Sequence, residues 1–185
     1  MSFFDIVKLD LARYPKHKLG IVYALFRNDG YRYTFWMRAC NYSYKHLITR
    51  ICIFPLCYLI YRHNTYKFGC QIPFSTNIKE GFFLAHLIGT VINRNTIIGK
   101  NVNISQNVTI GQTNRGNKKG IPTIGDGVYI GTGAVIIGDI DIGNNVAIGA
   151  NSVVTKDIPD NAVVVGIPAK IISYNGAEGY INRKI

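Results

Sequence analysis

A branched aliphatic residue recurs every six positions over more than half of the chain, and this period limits the possible folds more than any other feature. The period holds in three phases, each offset by two residues from the one before. Ile78 and Leu84 set the first phase. The second and third phases comprise Ile92, Ile98, Ile104 and Ile110, and then Ile124, Ile130, Ile136, Ile142, Ile148 and Val154.

A period of six fits neither an α-helix, which repeats at 3.6, nor a long strand, which repeats at 2.0. It fits short strands joined by tight turns, with one aliphatic side chain of each hexad pointing to a common axis. Three hexads then make one coil, and stacked coils bury a continuous apolar column. The sequence therefore predicts a mainly β parallel solenoid.

Composition changes sharply near residue 70, which indicates two architectures. Residues 1–70 carry 11 Lys and Arg against three Asp and Glu, whereas residues 71–185 carry 10 against seven. Helices are predicted at 3–13, 33–46 and 47–62, with Pro55 expected to kink any helix that spans it. We expect a helical cap over residues 1–70, a coil over 71–172 and a C-terminal tail over 173–185.

The formal net charge of +11 favours anionic partners such as phosphates, acidic glycans or an anionic membrane face. No groove-binding motif is present, so nucleic acid is not an expected partner. The spacing of the four cysteines matches no zinc pattern and favours buried thiols over disulfides.

No signal peptide is recognised, and the most apolar stretch, 51–61, is about half a bilayer span. We expect a cytoplasmic protein. Peripheral contact with the inner membrane face through the basic, aromatic segment 31–61 is a secondary hypothesis.

Several motifs of the coil carry a resemblance to a known family. They are FLAHLIGTVIN ending at Asn93, NISQNVTIG (103–111), IGDGVYIGTGAVIIG (124–138), IGANSVVTKDIP (148–159) and GIPAKII (166–172). The chain resembles the hexapeptide-repeat acyltransferases, closest to the serine acetyltransferase branch and its polysaccharide O-acetyltransferase relatives. The resemblance implies a left-handed parallel β-helix, a homotrimer with active sites between subunits, and acetyl-CoA as the acyl donor. It implies no metal.

The two breaks in phase are where specific chemistry is expected. The first holds His86, the one histidine of the coil, and the resemblance implies that it is the general base. Taken alone, a structural histidine at a corner would be the better interpretation. Many members of the family place an acidic residue 15 positions before this base; here that position is Gln71, whose amide could orient the imidazole but gives no full charge.

The second break, residues 112–123, is a polar and basic excursion. Three of its cations are candidates for CoA phosphates or an anionic acceptor, although a solvated loop is the alternative: Arg115, Lys118 and Lys119. The resemblance further places CoA along small residues of the C-terminal coils, with a cation near the nucleotide phosphates. The candidate CoA-binding residues are Gly111, Thr132, Gly133, Ala150 and Lys170, and Ala85 and Asn93 are candidates for acceptor contact.

The acceptor is expected to be a sugar hydroxyl of a bacterial surface polysaccharide or its precursor. Serine-using relatives carry Asp where this chain has Ala85, and an Arg-His pair where it has Gly120 and Ile121, so the charges that would hold an amino acid are missing there. Two alternatives stay open. One is a serine acetyltransferase, and the other is a non-catalytic structural or binding solenoid.

Overall fold

The computed structural model describes residues 1–185, which form five helices followed by a coil of short strands. The helices are α1 (Phe3–Ala12), α2 (Gly20–Arg27), α3 (Asp29–Tyr44), α4 (Leu47–Cys52) and α5 (Phe54–Phe68). The first and second predicted helices correspond to α1 and α3. The third prediction falls on α4 and α5, and α2 was not predicted.

Local sequence accounts for several helix boundaries. Ser2 and Asp5 form a reciprocal capping box at the start of α1, which satisfies backbone donors that the first turn leaves free. Pro55 lies in the first turn of α5, where its missing N–H costs nothing. The proline therefore starts a new helix rather than kinking a longer one.

The coil consists of 14 strands, 12 of them in the repeating part. In chain order they are β1 (Asn77–Ile78), β2 (Phe83–Leu84), β3 (Val91–Ile92), β4 (Ile97–Ile98), β5 (Asn103–Ile104), β6 (Thr109–Gly111), β7 (Thr123–Ile124), β8 (Tyr129–Ile130), β9 (Val135–Ile137), β10 (Asp141–Ile142), β11 (Ala147–Ile148), β12 (Val153–Val154), β13 (Val163–Gly166) and β14 (Ala169–Ser173).

Three sheets form the faces of the prism. The first sheet has the order β1-β4-β7-β10, the second β2-β5-β8-β11-β13-β14, and the third β3-β6-β9-β12. All pairs are parallel except β13 with β14. The fold is a left-handed parallel β-helix with N-terminal helices, as predicted.

The repeating aliphatic positions form the core of the coil, which confirms the period of six. All twelve are at most 5% exposed: Ile78, Leu84, Ile92, Ile98, Ile104, Ile110, Ile124, Ile130, Ile136, Ile142, Ile148 and Val154. Stacked side chains of this kind remove apolar surface from water continuously along the axis, which is the main stabilising contribution in a solenoid.

Strand register gives the sizes of the two interruptions. Ile130 pairs with Ile148, which is 18 residues or one regular coil. Leu84 pairs with Ile104, 20 residues away, so the first interruption adds two residues. Ile98 pairs with Ile124, 26 residues away, so the second adds eight. Because eight differs from two by one hexad, both insertions shift the phase of the repeat by the same amount.

The helices share a core with the first coil. Tyr33, Met37, Cys40, Cys57 and Tyr61 belong to the same apolar cluster as the coil aliphatics. A buried ion pair joins α1 to α3, with Arg38 Nε 3.0 Å from Asp10 Oδ2. Asp10 also accepts the backbone N–H of Phe82 at 3.0 Å, which ties both helices to the coil. Burial raises the pKa of the Asp10 carboxyl despite this pairing.

The C-terminal residues fold back onto the coil. Ala177 and Ile181 are buried against Ala147, and the rings of Tyr180 and Tyr129 stack at 4.5 Å. The side chain of Asn101 donates to the carbonyl of Ile185 at 3.0 Å. The tail thus lies along the second sheet.

All four cysteines are free thiols. Cys40, Cys57 and Cys70 are buried, as expected, and burial raises the pKa of the Cys40 and Cys70 thiols to about 12. Cys52 is exposed, which corrects the expectation that all four are buried. It lies on α4, a helix with no buried residue. None of the helices combines the length and the apolar character that crossing a bilayer requires.

Candidate active site

His86 lies at a corner of the prism, between the second sheet and the third. The corner between β2 and β3 has six residues, 85–90, whereas the equivalent corners of the next three coils have four each: 105–108, 131–134 and 149–152. The two additional residues displace the chain from the regular turn. Ala85 and His86 are exposed there, and no group of the chain hydrogen-bonds to the imidazole. A proton-accepting nitrogen at such a position is open to a substrate hydroxyl.

The corners of successive coils stack into one edge, which we call the His86 edge (residues 85–90, 105–108, 131–134 and 149–152). Backbone hydrogen bonds join them, from Asn107 N to Ile88 O at 2.8 Å, from Gly133 N to Gln106 O at 3.0 Å and from Asn151 N to Thr132 O at 2.8 Å. The candidates Thr132, Gly133 and Ala150 therefore lie on the same edge as His86.

Small residues on the His86 edge leave few side-chain atoms projecting from its surface. Gly133 has a φ of +72°, and a Cβ there would lie 2.1 Å from Asn151 Oδ1, so a larger residue would be strained and would clash. Ala150 is exposed. Beyond the last corner, Lys170 in β14 pairs with Val165 of β13, which continues the second sheet. The exposed Lys170 thus stands at the opposite end from His86, several strand spacings away.

A cleft of about 410 Å³ opens beside His86, and α2 and α3 form its opposite wall. Arg27, Asn28 and Asp29 line it together with Ala85 and His86. Asp29 is 58% exposed and forms an ion pair with Arg32. The cleft therefore brings a carboxylate and a guanidinium to the same space as the candidate base.

Gly30 explains how Asp29 comes so close to the coil. A Cβ on Gly30 would lie 2.1 Å from the carbonyl oxygen of Leu84, the residue that ends β2. Only glycine lets the start of α3 approach this backbone. Tyr14 contributes to the same contact, with its hydroxyl donating to Leu84 O at 3.3 Å.

Gln71 is not among the residues that line the cleft of His86. It forms a parallel bridge with Val91, and its side chain lines a second cleft with Arg62, Tyr66 and Arg94 rather than the cleft of His86. No hydrogen bond joins the Gln71 amide to the imidazole within the chain. An orienting role for Gln71 stays a prediction.

The remaining candidates lie on another edge, between the third sheet and the first, which we call the loop edge. Asn93 follows β3 there, and Gly111 ends β6 where the loop 112–122 begins. Thr113 and Gly120 pair in an antiparallel bridge, so the loop is a hairpin. Arg115 and Lys119 are exposed on it.

Lys118 fastens this hairpin to the coil. Its Nζ lies 2.8 Å and 3.1 Å from the two carboxylate oxygens of Asp157, and its carbonyl accepts the N–H of Asp139 at 2.9 Å. The hydrogen bond raises the pKa of Lys118 and lowers that of Asp157. Of the three predicted loop cations, Lys118 is the one already held by a carboxylate.

The chain is similar in sequence and in structure to known proteins. The family model described as bacterial transferase hexapeptide (six repeats) matches residues 121–156. The serine acetyltransferase of Neisseria gonorrhoeae, solved in complex with serine, superposes with a TM-score of 0.74 at 32% identity, covering 92% of this chain and 69% of that one. The chain belongs to the hexapeptide-repeat acyltransferase family. The soybean serine acetyltransferase apoenzyme gives the same TM-score at 30% identity, with the same coverage.

Sequence comparison with curated proteins also finds serine acetyltransferases. The serine acetyltransferase of Bacillus pumilus (strain SAFR-032) is 38% identical over 117 residues, which are 63% of this chain and 53% of that protein. That of Staphylococcus aureus (strain N315) is 44% identical over 108 residues, 58% of this chain and 51% of that protein. The chain spans about half the length of the curated relatives that it matches.

The predicted polysaccharide acceptor is wrong, because these relatives and neighbours are serine acetyltransferases. The physical error lay in the search for charges. Ala85, Gly120 and Ile121 are indeed uncharged, but the cleft beside His86 has Arg27 and Asp29 from the helical segment. These two residues are 57 or more positions before His86 in the chain, and no local motif signals that they meet it.

Proposed function

We propose that the protein transfers the acetyl group of acetyl-CoA to the hydroxyl of L-serine. The observation that carries the proposal is the cleft in which His86, Asp29 and Arg27 face the same space. A free amino acid presents an ammonium group, a carboxylate and, in serine, a hydroxyl. The cleft offers a partner of suitable chemistry for each of the three. The relatives named above support the same acceptor.

His86 acts as the general base in this proposal. Its imidazole takes the proton of the serine hydroxyl as the oxygen forms a bond to the acetyl carbonyl carbon. The carbon–sulfur bond of the thioester then breaks, and the departing thiolate recovers the proton from the imidazolium. Backbone N–H groups at the corner are available to stabilise the oxyanion. Proton transfer of this kind contributes about 10²- to 10⁴-fold to the rate.

The His86 edge fits an extended acyl donor. The small residues Gly133 and Ala150 leave room for a pantetheine chain beside the backbone of the corners, which can hydrogen-bond to it. From β2 to β13 the second sheet makes four strand steps, about 19 Å at the usual spacing. Lys170 at the far end supplies a cation for the nucleotide phosphates while the thioester lies beside His86.

The two edges support a site shared between subunits. His86, Thr132 and Ala150 lie on one edge of the prism, whereas Asn93 and the loop with Arg115 lie on another. One chain therefore presents the base and the loop on separate edges. A homotrimer in which the loop edge of one subunit faces the His86 edge of its neighbour would unite them.

The test is the release of CoA thiol from acetyl-CoA in the presence of L-serine, with L-alanine as the acceptor that lacks a hydroxyl. We expect turnover with L-serine alone and a loss in kcat of about 10²- to 10⁴-fold in His86→Ala. His63→Ala, which removes an exposed histidine of α5, is the matched control and should retain activity. A folded protein that gives no thiol with L-serine would contradict the proposal.

A further inference from the structure

The short helix α4 and the outer side of α5 expose an unusual number of large apolar side chains. We call these residues the α4–α5 surface, and each is 49–77% exposed: Leu47, Ile48, Ile51, Ile53, Leu56 and Leu59. Their clustering within 13 positions distinguishes them from the scattered exposed aliphatics that any protein surface has.

The first half of α5 departs from an ordinary surface helix, which turns polar residues to solvent, because Leu56 and Leu59 are exposed there. Cys57, Tyr61, Asn64 and Thr65 are the buried residues of α5. Tyr61 donates to the carbonyl of Ile72 at 2.7 Å, so this side is fixed against the coil. The side of α5 that carries Tyr61 therefore faces the coil, and Leu56 and Leu59 are exposed.

Cations without acidic neighbours surround this surface. Residues 30–79 contain seven Lys and Arg and no Asp or Glu. Arg32 and Arg38 are paired with Asp29 and Asp10. Four of the others flank or interrupt the apolar residues and belong to no ion pair: Lys45, Arg50, Arg62 and Lys67.

Aromatic rings hold two of these cations close to the apolar residues. The guanidinium of Arg50 lies 4.1 Å from the ring centroid of Tyr44, and that of Arg62 lies 4.6 Å from the ring centroid of Tyr66. Cations beside tyrosines around an aliphatic patch have the composition of a segment that lies at the boundary between lipid headgroups and acyl chains.

We propose that the α4–α5 surface binds an anionic lipid bilayer, with its aliphatic side chains inserted at the headgroup boundary and its four unpaired cations among the lipid phosphates. Helix α4 has six residues and α5 has 15, and neither meets the requirements of a membrane span, so the contact is parallel to the surface.

Charge favours lipid over a second copy of the same surface. A symmetric dimer would place the patch against itself and bring the four cations of each copy together, in a segment (residues 30–79) that contains no Asp or Glu. Anionic headgroups instead neutralise them, with an attraction that corresponds to about fivefold in binding for each Lys or Arg at the surface.

Cys52 provides a reporter inside the patch, because it is the exposed thiol while Cys40, Cys57 and Cys70 are buried. The full chain would be labelled at Cys52 with an environment-sensitive fluorophore and mixed with vesicles of equal parts phosphatidylglycerol and phosphatidylcholine. We expect a blue shift and co-sedimentation, both weakened by raising salt from about 0.05 to about 0.5 M. Vesicles of phosphatidylcholine alone should bind at least tenfold more weakly.

Two sets of variants separate the apolar and the charged contributions. Ile48→Asn with Ile51→Asn and Leu59→Asn should abolish co-sedimentation, and Lys45→Ser with Arg50→Ser should weaken it about 30-fold. The matched controls are Ile167→Asn with Ile172→Asn, and Lys156→Ser with Lys184→Ser. They remove exposed apolar or cationic side chains outside the helical segment and should bind as the unaltered chain does.

The proposal is overturned by the absence of a blue shift with anionic vesicles, by equal binding to neutral vesicles, or by an equal loss of binding in the control variants. A Cys52 blue shift that depends on protein concentration without lipid would assign the surface to a second copy and also overturn it. Thermal unfolding of each variant, measured in parallel, shows whether a loss of binding reflects a loss of fold.

Discussion

The corner at 85–90 and the loop at 112–122 interrupt the same repeat, but the protein surrounds them differently. The corner inserts two residues beneath α2 and α3, where Gly30 brings Asp29 to the cleft of His86. The loop inserts eight residues that extend from the coil as a hairpin, held by Lys118 and Asp157. A small insertion enclosed by a second element suits a base that must be positioned. A larger exposed insertion suits a contact with another chain.

Mixed trimers test whether the two interruptions act together across a subunit boundary. His86→Ala and Arg115→Ala with Lys119→Ala would be prepared as separate inactive or weakened chains, then unfolded and refolded together. If each site combines the corner of one subunit with the loop of the next, about a quarter of the interfaces in a random equal mixture carry neither defect. We expect thiol release to recover to about that fraction of the unaltered activity.

A site confined to one chain gives a different result. Every chain in the mixture would then carry one defect, and mixing would restore nothing. Each variant unfolded and refolded alone under the same conditions is the control for activity lost during refolding.

Asp29→Asn tests whether the helical wall of the corner recognises the acceptor. Removing the charge while keeping the shape should raise the KM for L-serine by about ten- to hundredfold, because a charge-assisted hydrogen bond contributes about 1.5–3 kcal/mol. The KM for acetyl-CoA should stay unchanged. Arg32→Gln removes the ion-pair partner of Asp29 and controls for disturbance of α3. An equal rise in both KM values would show that the cleft has been distorted rather than that a contact has been lost.

Asp157→Asn should have the smallest effect of these substitutions, since it removes only the exposed ion pair between Lys118 of the loop and Asp157 of the coil. The asparagine can still accept the N–H of Asp141, which Asp157 accepts at 3.1 Å, so only the charge is lost. We expect the thermal midpoint to fall by about 1–2 °C at pH 7. Thermal unfolding followed by circular dichroism checks this.

The difference in thermal midpoint between Asp157→Asn and the unaltered chain should depend on pH, as the two pKa shifts indicate. The pKa of Asp157 is lowered in the folded protein, so its contribution is present above its ordinary value of 3.8 and is lost as pH falls through the folded value. The pKa of Lys118 is raised from 10.5, so the pair is also lost as pH rises through the folded value of the lysine. A difference between the variant and the unaltered chain that persisted in strong acid would point to a cause other than this ion pair.

The sequence by itself determined the coil, because the six-residue period is local and the inward-facing residue can be identified within each hexad. Ile130 and its counterparts are buried as the period predicts. The same period located both interruptions, since a break in phase is visible in the chain. His86 lies in the first interruption, and only the family resemblance predicted that it is the base. The presence of exposed cations in the loop was also a matter of composition.

Only the tertiary structure decided what faces His86. Asp29 and Arg27 reach the cleft because α3 approaches the end of β2 at Gly30, a contact between residues more than 50 positions apart. The partner of Lys118 and the outward direction of Leu56 and Leu59 were also decided by packing. Such contacts depend on how two separate elements dock, and a periodic pattern in one element carries no information about the surface of the other. That is the physical reason why the acceptor was predicted wrongly while the fold was predicted correctly.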